Sequence, residues 1–155
     1  MRRRLNVTHL SVITSIAMQP QRIATVETDL FEHREVKPHF INDCCFGEDF
    51  ATWLIERLAD LSNSGFELGE AIQEDYGWGF WVTHGKDKFW IALSYVGIGP
   101  TETPAQWVVS ISNDTDLNVF GKLFRKRNST AMDTLRVRIR RELESQNGLT
   151  IIHDA

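Results

Sequence analysis

The segment GWGFWVTHGKDKFWIAL, residues 77–93, constrains the fold more than any other stretch. Gly85-Lys86 suits a two-residue hairpin turn of type II′, with glycine at the first central position, where φ must be positive. That turn fixes a register. Val82 falls opposite Phe89, Trp81 opposite Trp90, Phe80 opposite Ile91, and Trp78 opposite Leu93. Side chains alternate along a strand. One face then carries Trp78, Phe80, Val82, Phe89, Ile91 and Leu93. The other sets Gly77, Gly79, Ala92 and Ser94 beside a Trp81–Trp90 pair. A slip of one residue would scramble both faces, so turn chemistry and face pattern agree on this pairing.

The rest of the chain supplies elements to complete such a sheet. QRIATVETDLF (21–31) reads as a strand through Ile23, Val26 and Leu30. EVKPHFIND (35–43) is extended, since Pro38 disfavours helix at Lys37. GEDFATWLIERLADLSNSG (47–65) reads as one helix. Its Phe50, Trp53, Leu54, Leu58 and Leu61 fall on a single stripe, Glu48 and Asp49 suit the first turn, and Gly65 terminates it. Residues 66–112 form a strand meander, closed by AQWVVSIS (105–112). TLRVRIR (134–140) alternates like a strand. As a helix, however, Met132, Leu135, Ile139 and Leu143 make one stripe with only Val137 misplaced, and Thr130 with Asp133 resembles a capping box. We read it as helix, followed by a short strand, LTIIH. The expected fold is α+β: an antiparallel meander of five to six strands with two main helices.

A chain of 155 residues fits one domain with its own core. We expect residues 18–155 to form it. Residues 1–17 imitate a signal peptide, but polar residues dilute the apolar run. Met18 is a reasonable natural start, which would make 1–17 a poorly ordered extension. No apolar run reaches the roughly 20 residues that span a bilayer, so no membrane association is expected. The net charge of −4 is unevenly spread: residues 1–46 carry +1, residues 47–120 carry −9 and residues 121–155 carry +4. The acidic middle disfavours nucleic acid as the main partner. Two adjacent cysteines, Cys44 and Cys45, do not make a disulfide framework. A reducing, cytoplasmic setting follows.

Glu74 and Asp75 run directly into Tyr76-Gly77-Trp78. On a continuous strand they point to opposite faces, so they are not a facing dyad. Alternation back from Trp78 would place Glu74 in an aromatic environment, with a raised pKa or a cationic partner. A break at Tyr76-Gly77 would instead leave Glu74 on a solvated rim. The Trp81–Trp90 pair is either a stacking platform on an open face or a second core face under a helix. His33, His39, Cys44 and Cys45 are metal-ligand types in no zinc spacing. Cys45 precedes a helix start, whose dipole would lower a thiol pKa. DTDLN (114–118) begins like a calcium loop but has Val119 at the turn position and Arg125 at the bidentate position. KLFRKR (122–127) and the arginines of the last helix offer a basic region for phosphate contact.

VKPHFINDCCFGEDFATWL (36–54) together with QEDYGWGFWV (73–82) resembles a family of small uncharacterised bacterial proteins. The resemblance implies a bacterial origin and brings no activity or catalytic residue with it. Small acidic α+β proteins with aromatic sheets also occur among toxin-immunity proteins, a likeness of fold alone. The expected function is that of a non-enzymatic binding or regulatory protein, meeting a protein partner or small ligand. Its site would comprise Glu74, Asp75, Tyr76, Trp78, Trp81 and Trp90, with no metal or cofactor. The rival is a small enzyme with Glu74 or Asp75 as general acid/base, joined by Cys45 or His39. A third reading is nucleic-acid contact through the basic C-terminal region.

Overall fold

The computed structural model describes residues 20–98, 104–113 and 129–154. The N-terminal extension, DTDLN and KLFRKR lie outside them. The hairpin expected around Gly85-Lys86 is present, residue for residue: Trp78, Phe80, Trp81 and Val82 pair with Leu93, Ile91, Trp90 and Phe89. Gly85 has φ 61°, as the tight turn requires. These strands are β4 (Gly77–His84) and β5 (Asp87–Ile98). With β1 (Gln21–Glu27), β2 (Phe66–Leu68), β3 (Ile72–Glu74), β6 (Ala105–Asn113) and β7 (Thr150–Asp154) they form a seven-stranded sheet. Every pairing is antiparallel.

β2 and β3 share one edge, pairing with successive parts of β4. Then come β5, β6, β1 and, at the other edge, β7. The chain leaves β1, crosses to the far edge through helix α1 (Glu48–Arg57), and meanders back until β6 lies beside β1. Helix α2 (Ser129–Ser145) then leads to β7. The fold is α+β, with seven strands where five or six were expected. The extra count arises because the stretch before Trp78 does not continue one strand but folds as two short ones, β2 and β3, ahead of β4.

One sheet face is the core. Trp78, Phe80, Val82, Phe89, Ile91, Leu93, Trp107, Val109 and Ile111 are buried there. They merge with Phe50, Leu54 and Leu58 of α1 and Leu135, Ile139 and Leu143 of α2 into one cluster. Both helices therefore pack on the same face. Val137 stands 69% exposed on α2, which confirms the helical period over the strand alternation. Arg138 ties α2 to the segment after α1. Its guanidinium donates to both carboxylate oxygens of Asp60, at 2.9 and 2.8 Å, and its Nε donates to Glu142 at 2.8 Å. Arg140 donates to Glu144 at 2.8 Å. Arg136 donates to the Gln21 side chain at 2.8 Å. Three of the four arginines of α2 are thus engaged within the protein, while Arg141 is exposed.

Several local expectations are corrected. The helix read over 47–65 ends as α-helix at Arg57 and continues as a 3₁₀ segment, Ala59–Ser64. The Leu58 N–H donates to both Leu54 O (3.0 Å) and Ile55 O (3.2 Å), the point where the winding tightens. Asp60, Ser62, Asn63 and Ser64 are poor helix formers, while Gly65 closes the segment at φ 81°. β1 ends at Glu27, and Leu30 is exposed outside it. The Thr28 hydroxyl instead donates to Gly148 O at 2.8 Å. Residues 35–43 form no strand. A turn closes over Pro38, with the Phe40 N–H donating to Lys37 O at 3.0 Å. Thr130 already lies inside α2, and its carbonyl accepts the Thr134 hydroxyl, so it is not the cap residue of a capping box.

Candidate binding face

The second sheet face carries neither helix among the described residues, and its buried members Trp90 and Ala92 stand outside the main core cluster. Register arranges it in rows. Glu67, Thr83 and Lys88 form one row. Trp81, Trp90 and Ser112 form the next. Ile72, Gly79, Ala92 and Ser110 follow. The face is thus aromatic and charged at one end and small-residued through its middle.

The aromatic end is built around Gly79. A Cβ there would lie 2.4 Å from the Trp90 ring and 2.4 Å from Ile91 O, so the indole of Trp90 rests on bare backbone. Trp90 is only 8% exposed. Its indole N–H donates to the Tyr76 hydroxyl at 2.5 Å. Trp81 packs on Trp90 with ring centroids 4.8 Å apart and planes at 56°, a tilted contact that aromatic quadrupoles favour. The Lys88 ammonium stands 4.0 Å from the Trp81 ring centroid. Trp81 itself is half-buried and Tyr76 is 48% exposed. Burial pushes the Tyr76 hydroxyl above its ordinary pKa; the Trp90 N–H acts the other way, and the Glu74 charge adds to the rise. Tyr76 therefore stays protonated at neutral pH.

The break at Tyr76-Gly77 is real, and it takes the form of a hairpin turn. Glu74 pairs with Gly77, and Asp75-Tyr76 is the two-residue connection between β3 and β4. Glu74, Asp75 and Tyr76 are all exposed at this rim. The two carboxylates do not enter an aromatic pocket. Trp78 lies on the opposite, core face, 5% exposed, and its indole N–H donates to Cys45 O at 2.8 Å. It supports the hairpin from below rather than meeting a partner. Of the six residues expected to form the site, Tyr76, Trp81 and Trp90 come together, Glu74 and Asp75 flank them at the turn, and Trp78 stands apart.

No family model matches the chain, and comparisons with curated proteins and with solved structures give no match either. The chemistry of the face must be read from its own residues.

Sequence reasoning missed Gln73. Its carboxamide oxygen accepts the N–H groups of Ile41 (2.5 Å) and Asn42 (3.2 Å), while its NH₂ donates to Asn42 O (2.9 Å) and Cys45 O (3.1 Å). One amide thus takes the place of a strand for the loop before α1. Beside it, the Asn42 side chain donates to Asp75 Oδ1 at 3.2 Å, and the Cys45 thiol donates to Asp75 O at 3.2 Å. The loop and the hairpin turn are one hydrogen-bonded unit. Gln73→Ala strands these backbone groups. We expect it to cost about 1–3 kcal/mol in urea unfolding, with faster amide exchange at Ile41 and Asn42.

The dipole argument for Cys45 fails. Burial pushes its thiol up to about 11, and hydrogen bonding with Cys44 adds to the rise. Cys45 is 4% exposed, whereas Cys44 is exposed. Relative to an ordinary thiol at 9.0, a value of about 11 lowers the thiolate fraction about 100-fold near neutral pH. With iodoacetamide at pH 8, Cys44 should alkylate first and Cys45 about 100-fold more slowly than an ordinary exposed thiol. Equal labelling of the two would contradict this environment.

The histidines do not converge with the thiols. His33 is buried against Tyr95 and Trp107, and its Nδ1–H donates to Phe31 O at 2.9 Å. His39 pairs with Glu48 at 2.7 Å, opposite Lys37 at 2.6 Å. Burial raises the Glu48 pKa, but Lys37 and His39 outweigh it and hold the carboxyl below its ordinary value. Among the described residues, no three His, Cys, Asp or Glu side chains group to hold a metal ion. No described helix is long and apolar enough to cross a membrane.

Proposed function

We propose that this is a non-enzymatic binding or regulatory protein that meets a protein partner through the sheet face that carries neither described helix. The observation that carries the reading is Trp81. Its indole stands half-buried on the buried Trp90, on a face without a helix among the described residues. Tryptophan and tyrosine held rigidly by their neighbours are the residues that most often dominate interfaces. The Trp90–Tyr76 hydrogen bond and the bare Gly79 backbone supply that rigidity. Glu67 on the same face and Glu74 at the turn add negative charge, in a segment of net −9 over residues 47–120. Such a surface suits a basic partner.

An immunity-like role, neutralising a toxic protein, fits an acidic aromatic sheet by analogy of architecture. Two free cysteines fit a reducing compartment, and we place the protein in the cytoplasm. The rival enzyme reading loses support on specific points. Glu74 and Asp75 lie on an exposed rim, and the Cys45 thiol is held protonated.

The test is capture of partners from cells that express the protein naturally, using wild-type, Trp81→Ala and Glu74→Ala forms with matched circular dichroism. We expect one discrete partner, lost with Trp81→Ala and weakened with Glu74→Ala. Equal capture by all three would sink the proposal.

A further inference from the structure

We propose that the Trp81 ring is a recognition site for an arginine side chain of a basic protein partner, and that Lys88 occupies this site in the free protein. This inference deepens the binding reading above and rests on it. The Lys88 ammonium, 4.0 Å from the ring centroid, reports what the open face of Trp81 attracts: a cation. Lys88 is exposed, so it holds the position from the solvent side rather than being locked into it. Trp90 holds the indole in place, with its own N–H fixed on Tyr76.

The surroundings favour an incoming cation over the resident one. Cross-strand pairing places Glu67 in the row of Thr83 and Lys88, and Glu74 lies at the hairpin end of the same edge. Both carboxylates are exposed, and neither has an ion-pair partner among the described residues. Lys88 sits over the ring and makes no ion pair with either carboxylate; its ammonium is compact and strongly hydrated. A guanidinium is planar, weakly hydrated and carries five N–H donors. It can lie flat on the indole while its edge donates to a carboxylate. Displacing Lys88 forfeits one exposed cation–π contact, worth about two- to fivefold in affinity.

The experiment follows the indole N–H resonances of the folded protein, with Trp81 assigned from Trp81→Phe. The probes are an oligo-arginine peptide, an oligo-lysine peptide of equal length and a single-stranded oligo-thymidylate. We expect oligo-arginine to shift the Trp81 resonance saturably and more tightly than oligo-lysine. Lys88→Ala should then bind oligo-arginine about two- to fivefold more tightly than wild type. Lys86→Ala removes the same charge from the turn of the same hairpin without touching Trp81, and should gain less. Trp81→Leu should lose the binding.

The inference is overturned if Trp81→Leu binds oligo-arginine as well as wild type, or if Lys86→Ala and Lys88→Ala gain equally. It is also overturned if oligo-thymidylate, and not oligo-arginine, moves the Trp81 resonance. A partner captured through Trp81 but bringing no arginine there overturns the inference and leaves the binding reading standing. Oligo-arginine binding at Trp81 with no partner captured has the opposite outcome.

Discussion

Gly77→Ala is expected to destabilise the protein by at least about 3 kcal/mol, near the upper end of single-residue effects. Gly77 has φ 154°, and a Cβ there would lie 2.1 Å from Leu93 O and 3.1 Å from the Ser94 Cα. The obstacle is backbone, so no side-chain rotation relieves it. β4 and β5 would have to part where Trp78 faces Leu93, in the middle of the core. Gly85 is the internal control. It too has positive φ, 61°, but a Cβ there meets nothing within 4 Å. Gly85→Ala should cost only about 1–2 kcal/mol, the conformational penalty alone. Urea unfolding of both variants measures the difference. Equal costs would contradict the close approach of Gly77 to β5.

Trp107→Ala should cost about 3–5 kcal/mol. Trp107 is the largest fully buried side chain. It lies edge-on to Phe50 at 5.6 Å and Phe31 at 6.2 Å, and against Tyr95 at 5.2 Å. Its indole N–H donates to Thr28 O at 3.3 Å, where the chain leaves β1. Truncation opens a cavity between α1 and β6 and removes that donor. Trp107→Phe should cost less, since most of the ring volume stays. Trp81→Ala, on the other face, should cost less again, because its ring is only partly buried. That ranking distinguishes the core face from the binding face by stability alone.

The sequence was most legible where two independent local signals coincided. Gly85-Lys86 set a register that the apolar alternation of 78–93 also demanded, and the observed pairing follows both. The stripe of Met132, Leu135, Ile139 and Leu143 outweighed the strand-like alternation of 134–140 because it extends over three turns, and all four residues are buried. Reading failed where one pattern continued through a change of backbone. A period of two can be carried from Phe66 through Leu68, Ile72 and Tyr76 to Trp78, interrupted by Glu70 and Glu74, yet the chain reverses at Asp75-Tyr76. The turn residue there that carries the aromatic site, Tyr76, is not a typical turn former. The stripe through Leu58 and Leu61 likewise hid the passage from α to 3₁₀ winding. Gln73 gave no local signal at all, because its partners lie about thirty residues earlier in the chain. For the site, Trp81 and Trp90 were legible as a pair, but the absence of a helix over them among the described residues depends on where both helices pack, which only tertiary structure decides.

Placement of a photo-reactive amino acid at Thr83, on the aromatic face, and separately at Arg141, exposed on helix α2, tests the use of that face most directly. Irradiation in cells that express the protein naturally, followed by mass measurement, reads out which surface meets a partner. We expect a discrete covalent adduct from the Thr83 position that disappears when Trp81→Ala is added, and none from Arg141. An adduct of the same partner from Arg141 alone would contradict a partner-binding role for the Trp81 face.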